Sequence, residues 1–169
     1  MNTYILLLRF VHIVSGAFWF GAAAFVALLL QPATAAAGPA GGQVMERLIK
    51  RGLPAVFTSA SILSAASGVL LYLKIFGSIV PSTDATVQRG FFIGAVAGLL
   101  AFITVFSMHL PNGAKMDALQ KELQSENAPP SPEQMARMQA ILRKMRVAAL
   151  TTFVLLFIAI SMMAVARYL

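Results

Sequence analysis

His12 lies within an apolar run from Tyr4 to Leu30, a setting where an imidazole is costly to hold unless something captures it. Arg9, His12, Ser15, Gly16 and Trp19 recur at three- and four-residue steps, so a helix carries them on one face. Together they have the parts of a b-haem site. His12 offers an axial nitrogen to iron, and Gly16 leaves room for a porphyrin plane. Trp19 packs at the edge of that plane, while Arg9, one turn away, pairs with a propionate. The plainer reading is a histidine hydrogen-bonded to a neighbouring helix, or to its own Ser15.

A second axial ligand must sit at the same depth as His12. Met162 and Met163 in the last apolar block meet that condition, as do Tyr72 and Lys74 in the second, although methionines also serve as plain core filling. His109, the second of the two histidines, falls near the opposite end of its block. It lies ~15 Å in depth from His12 at 1.5 Å rise per residue, so the pair would serve separate sites, or His109 simply faces the interface beside Pro111. His109 and its neighbour Met108, with Met116, Met135 and Met138, also raise copper, since thioethers and imidazoles suit Cu(I).

The acids narrow the function classes. All six (Glu46, Asp84, Asp117, Glu122, Glu126, Glu133) fall outside the apolar blocks, whereas proton- and ion-coupled carriers need carboxylates within the membrane. No Gly-rich phosphate loop, hydrolase elbow or paired catalytic carboxylate is present, which argues against hydrolases and nucleotide-driven machines. Cysteine is absent, so disulfides, thiolate metal sites and covalent c-type haem are excluded.

The elements that must position these residues are membrane helices. Of the 169 residues 59% are hydrophobic and 11% charged, too little polar matter for a soluble surface, and the mean hydropathy is +0.79. The apolar residues fall in four blocks, roughly 4–30, 54–76, 91–110 and 147–165, each near the ~20 residues that cross a hydrocarbon core. Their hydrophobicity is continuous, without the period of two of barrel strands. The expected fold is an all-α, antiparallel four-helix membrane bundle forming a single domain over 1–169. The first block is expected to be a retained span, since a signal-peptide core of ~7–15 purely apolar residues is shorter and lacks polar groups such as His12.

Between the spans, Pro32 to Gly42 reads as a flexible Ala/Gly/Pro stretch, followed by a short amphipathic piece with Val44, Met45, Leu48 and Ile49. A brief turn is expected around Pro81–Asp84, making the second and third helices antiparallel neighbours. The stretch 111–146 is expected to form a helical hairpin extending spans three and four. Its first arm carries Met116, Leu119 and Leu123, and Asn127-Ala128-Pro129-Pro130 breaks it. Ser131-Pro132-Glu133-Gln134 is a capping-box start, followed by a heptad-like stripe of Met135, Met138, Leu142 and Met145. Small residues mark packing ridges: Ala17 and Gly21; Ala60, Ser64 and Gly68; Gly90, Gly94 and Gly98.

The net charge of +7 is a topology signal. Nine basic residues (Arg47, Lys50, Arg51, Lys115, Lys121, Arg137, Arg143, Lys144, Arg146) fall in the two loops of one side, against Arg9, Lys74, Arg89 and Arg167 on the other. The positive-inside rule then puts the loop side in the cytoplasm and both termini outside a prokaryotic plasma membrane. A lipid bilayer is the expected partner, together with further copies or a membrane complex, and nucleic acid is not.

From His12 to Gly21 the sequence reads His-Ile-Val-Ser-Gly-Ala-Phe-Trp-Phe-Gly, which resembles the opening helix of the copper resistance protein D membrane domain and of HemJ-type protoporphyrinogen oxidases. The later pattern is similar too: Pro32 closing the first span, Arg47 and Arg51 in a basic segment, then a span ending Gly68-Val-Leu-Leu. The resemblance covers mainly residues 9–73. It implies a four-helix unit whose first-helix histidine, at position 12, binds haem b or handles copper. One departure is that HemJ-type enzymes carry a lysine in the third helix, and 90–110 here has none. Haem b binding, in electron transfer or haem-linked oxidation, is therefore the first expectation. Copper handling and a non-catalytic role in a membrane complex are the alternatives.

Overall fold

The computed structural model describes residues 2–79, 86–126 and 129–169, and within them every extended element is helical. Seven α-helices follow in order: α1 (Thr3–Phe25), α2 (Gln31–Ala36), α3 (Pro39–Lys50), α4 (Leu53–Phe76), α5 (Thr86–Thr104), α6 (Leu110–Glu126) and α7 (Pro132–Val165). Short wide turns join α1 to α2 and α5 to α6 without breaking the rod, and four of the resulting helices are long and apolar enough to cross a membrane. The all-α membrane bundle expected from the sequence is thus the observed architecture. Large apolar side chains cover its outside, Phe10 at 65% exposure and Ile13 at 64% among them, a surface that only a bilayer solvates well.

The wide turns have one cause. Val26–Leu30 and Val105–His109 are π-helical, closed by Gln31 N–H to Val26 O and Leu110 N–H to Val105 O. The next residue is a proline in both cases, Pro32 and Pro111. Proline has no N–H to give to the carbonyl four residues back, and its ring collides with that carbonyl, so the helix widens by one residue. Side chains just beyond meet nearby carbonyls: Thr34 Oγ1 donates to Leu30 O at 2.8 Å, and Asn112 Nδ2 to Met108 O at 2.7 Å.

The spans associate as two close pairs, α1 with α4 and α5 with α7, and the pairs meet along a narrower seam. At the centre of that seam lie Trp19, Ala23, Ala60, Ala101, Val105 and Leu156. Phe20 of α1 stacks on Phe153 of α7 with ring centroids 6.0 Å apart.

Small residues set the pairs. On α5 the glycine ridge holds: a Cβ at Gly90 would lie 2.9 Å from Ala166 Cβ, and one at Gly94 3.1 Å from Ala159 O. On α4, Ser64 and Gly68 receive α1. The expected ridge on α1 differs, for Gly21 has open space around it and Ala17 is exposed. The face of α1 turned inward carries Ser15, Gly16, Trp19 and Ala23.

The segment expected to be flexible after Pro32 is an ordered corner. Gly38 takes φ 56° between α2 and α3, and Gly41 passes so close to Thr34 that a Cβ would overlap its carbonyl. At the far end, the hairpin of α6 and α7 forms as expected. Ser131 Oγ accepts from Gln134 N while Gln134 Oε1 accepts from Ser131 N, and α7 runs on for 34 residues, about 51 Å. Its seam is displaced from the expected stripe: Met135 and Leu142 are exposed, while Gln134 is buried and Met138, Ile141 and Met145 are half-buried. Gln134 donates to Glu122 of α6, a polar contact that hydrophobic spacing does not reveal. The turn expected at Pro81–Asp84, and Asn127-Ala128 of the expected break, lie outside the described residues.

Candidate functional site

His12 is half-buried between α1 and α4. Its Nδ1 lies 2.9 Å from the main-chain oxygen of Ser64. A carbonyl can only accept, so Nδ1 carries a proton, and in the neutral ring Nε2 then keeps its lone pair. Gly68 makes this approach possible, because a Cβ there would stand 2.7 Å from His12 Cε1 and 2.9 Å from Nδ1. In an α-helix the Ser64 carbonyl already receives the Gly68 N–H. The imidazole therefore joins the Gly68 N–H and the Ser67 hydroxyl, 3.3 Å away, on an oxygen that only a residue without a side chain leaves open to another helix.

Nε2 of His12 has no hydrogen-bond partner among the described residues, and it is not among their fully buried unpartnered atoms, which are Trp19 Nε1 and Gln31 Oε1. It stays accessible from outside the pair. A histidine held through Nδ1–H to a carbonyl, with Nε2 free, has the tautomer and orientation of a metal-ligating imidazole. Arg9, one turn toward the N-terminus, is half-buried and makes no ion pair among the described residues.

The other residues of the expected face are committed to packing. A Cβ on Gly16 would meet Ser64 Oγ at 3.2 Å, so the space there belongs to α4. Ser15 Oγ donates to Val11 O of its own helix at 2.6 Å and does not hold His12. Trp19, 2% exposed, fills the centre of the bundle, and its indole N–H finds no acceptor among the described residues. Met162 and Met163 lie against Gly94 in the α5–α7 seam, whereas His12 packs in the α1–α4 seam. Tyr72 stacks near Phe76 with centroids 5.0 Å apart, and its hydroxyl donates to Ile79 O.

His109 occupies a separate polar cluster. The π-turn carries it toward α7, where Nε2 lies 3.2 Å from Thr152 Oγ1, and Thr152 Oγ1 lies 2.7 Å from Thr104 Oγ1. Sequence reading missed Thr104 and Thr152, because threonines in apolar runs look like ordinary helix residues until a partner faces them. Met116 is buried in the α6–α7 hairpin, away from any histidine cluster. Among the described residues no three of His, Cys, Asp or Glu gather as a metal site.

Apolar grooves mark the surface of the described bundle, two of them well lined. One is lined by Phe92, Ile93, Val96, Ala97, Leu100 and Leu155; the other lies between α1, α3 and α4 near Arg51. His12 lines neither.

Fold and site together define a four-span helical membrane protein with one orientation-locked imidazole near the end that carries the termini. No protein-family model, curated protein sequence or solved structure matches the chain.

Proposed function

We propose that this protein binds haem b in a prokaryotic plasma membrane, with His12 Nε2 as an axial ligand, and serves electron transfer or haem-linked oxidation. The observation that carries the reading is the His12 Nδ1–Ser64 O hydrogen bond, which fixes the ring and leaves Nε2 available. The likeness of residues 9–73 to the copper resistance protein D membrane domain and HemJ-type enzymes supports it. The basic residues of α3, α6 and α7 orient that loop side to the cytoplasm and put His12 in the outer half of the bilayer.

The residues fit one axial position and one propionate partner, Arg9. They do not fit a porphyrin sunk into this bundle, because Gly16 and Trp19 are occupied by packing and the side chains of Met162 and Met163 pack at Gly94. The porphyrin face and the opposite ligand would come from a second copy of the chain. Bound there, haem b would supply one-electron chemistry; this chain would orient the ring nitrogen and keep the iron side of the site in an apolar surround.

The test is the absorption spectrum of the detergent-purified full chain produced with haem supplied. A Soret band is expected in the wild type and in His109→Ala, and its loss in His12→Ala. A colourless wild-type preparation, or an unchanged band in His12→Ala, overturns the reading.

A second reading draws on Gly16, Ser64 and Gly68, which account for His12 as an interhelical clasp in a non-catalytic subunit. It expects a co-purifying membrane partner, no chromophore, and an intact complex with His12→Gln. For copper, His109 is engaged with Thr152, and Met116 is buried in the hairpin seam.

A further inference from the structure

The groove between α1, α3 and α4 is walled by Phe18, Phe25, Leu48, Val56 and Phe57 and has a volume of about 320 Å³, within the range of small-molecule sites. One charged residue, Arg51, stands in its lining. Helix α3 is strongly two-faced: Leu48 lines the groove, while Arg47 and Lys50 close its last turn. Such a helix lies in the plane of the headgroups, apolar face inward.

The charges at this mouth are unbalanced. Lys50 is paired with Glu46 at 2.6 Å, but Arg47 and Arg51 are exposed and make no ion pair among the described residues. Arg51 caps the C-terminus of α3, and Gly52 precedes α4 with no side-chain cap; the two helix ends have opposite polarity, so the guanidinium is the charge at this spot. An apolar trough that ends on one unpaired guanidinium, Arg51, matches a molecule with an apolar chain joined to an anion.

We propose that this groove is a specific site for an anionic glycerophospholipid, with an acyl chain along Phe18, Phe25 and Phe57 and the phosphate on Arg51. Ordinary annular lipid touches every span, but this position adds an unpaired cation at the end of an apolar trough. The site is independent of His12 and of any haem.

The experiment is native mass spectrometry of the full-length chain in detergent, titrated with equal phosphatidylglycerol and phosphatidylcholine. Phosphatidylglycerol is expected to be retained about fivefold over phosphatidylcholine, the factor of one interfacial cation. Arg51→Gln should abolish the preference, and Ala22→Phe, which fills the groove, should lower retention of bound lipid. Lys115→Gln, at the exposed start of α6, should leave both unchanged. Equal retention by the wild type, a preference that survives Arg51→Gln, or one lost equally in Lys115→Gln overturns the proposal. So does full retention in Ala22→Phe. Helical circular dichroism of each variant confirms that it is folded before lipid is added.

Discussion

The imidazole of His12 rests on Gly68: the space that a Cβ would occupy at position 68 is filled by His12 Cε1, 2.7 Å away. The two residues are 56 positions apart, and their contact converts the oxygen of Ser64 into an acceptor for a side chain of another helix. The tautomer and orientation of His12 therefore depend on a glycine that has no chemistry of its own.

Gly68→Ala is expected to push His12 off Ser64 and to loosen the α1–α4 pair. Overpacking and the lost hydrogen bond together should cost about 1–3 kcal/mol, read as a lower unfolding midpoint in detergent. Any chromophore carried by His12 should weaken with it. Unchanged stability and spectrum in Gly68→Ala would show that the ring is not held there.

Glycines on opposite faces should respond with opposite sign. Gly90→Ala drives a methyl to 2.9 Å from the Cβ of Ala166, whose residue is fully buried, and should destabilise the α5–α7 pair. Gly21 has open space around it, so Gly21→Ala should be neutral or stabilise by about 0.5–1 kcal/mol through helix propensity. Equal losses in both variants would contradict the observed pairing of the spans.

Thr152 is the hub of the polar cluster at the π-turn, touching both Thr104 and His109. Thr152→Val keeps the volume and removes both contacts; at about 0.6 kcal/mol per interhelical bond in membranes, the loss should be about 1 kcal/mol. Thr104→Val should add less on that background than alone, because the two variants delete one shared bond. Strict additivity in the double-mutant cycle would show that the hydroxyls do not meet.

Trp19 gives a contrast between volume and polarity. Its N–H has no acceptor among the described residues, so Trp19→Phe should cost less than the loss of ring area alone implies. Trp19→Ala, which opens the centre of the bundle, should cost about 3–5 kcal/mol. If Trp19→Phe proves as damaging as Trp19→Ala, the indole N–H has a partner that holds the core together.

The sequence by itself determined the spans, the capping box at Ser131, the helical hairpin and the glycine ridge of α5, because continuous hydrophobicity, cap chemistry and small-residue spacing are local properties of the chain. It also marked His12, since a lone polar group in an apolar run is visible without partners. It grouped Ser15, Gly16 and Trp19 on the face of α1 that does turn inward, but its packing ridge of Ala17 and Gly21 faces outward, and it took the corner at Gly38 and Gly41 for a flexible stretch. Those depend on what stands opposite: Ser64 against Gly16, and Thr34 against Gly41. Only the tertiary structure decided that Trp19 is core, that Met162 and Met163 belong to another seam, and that a carbonyl holds His12. Each is a contact between distant segments, fixed by how two helices cross, and no local pattern of residues encodes that crossing.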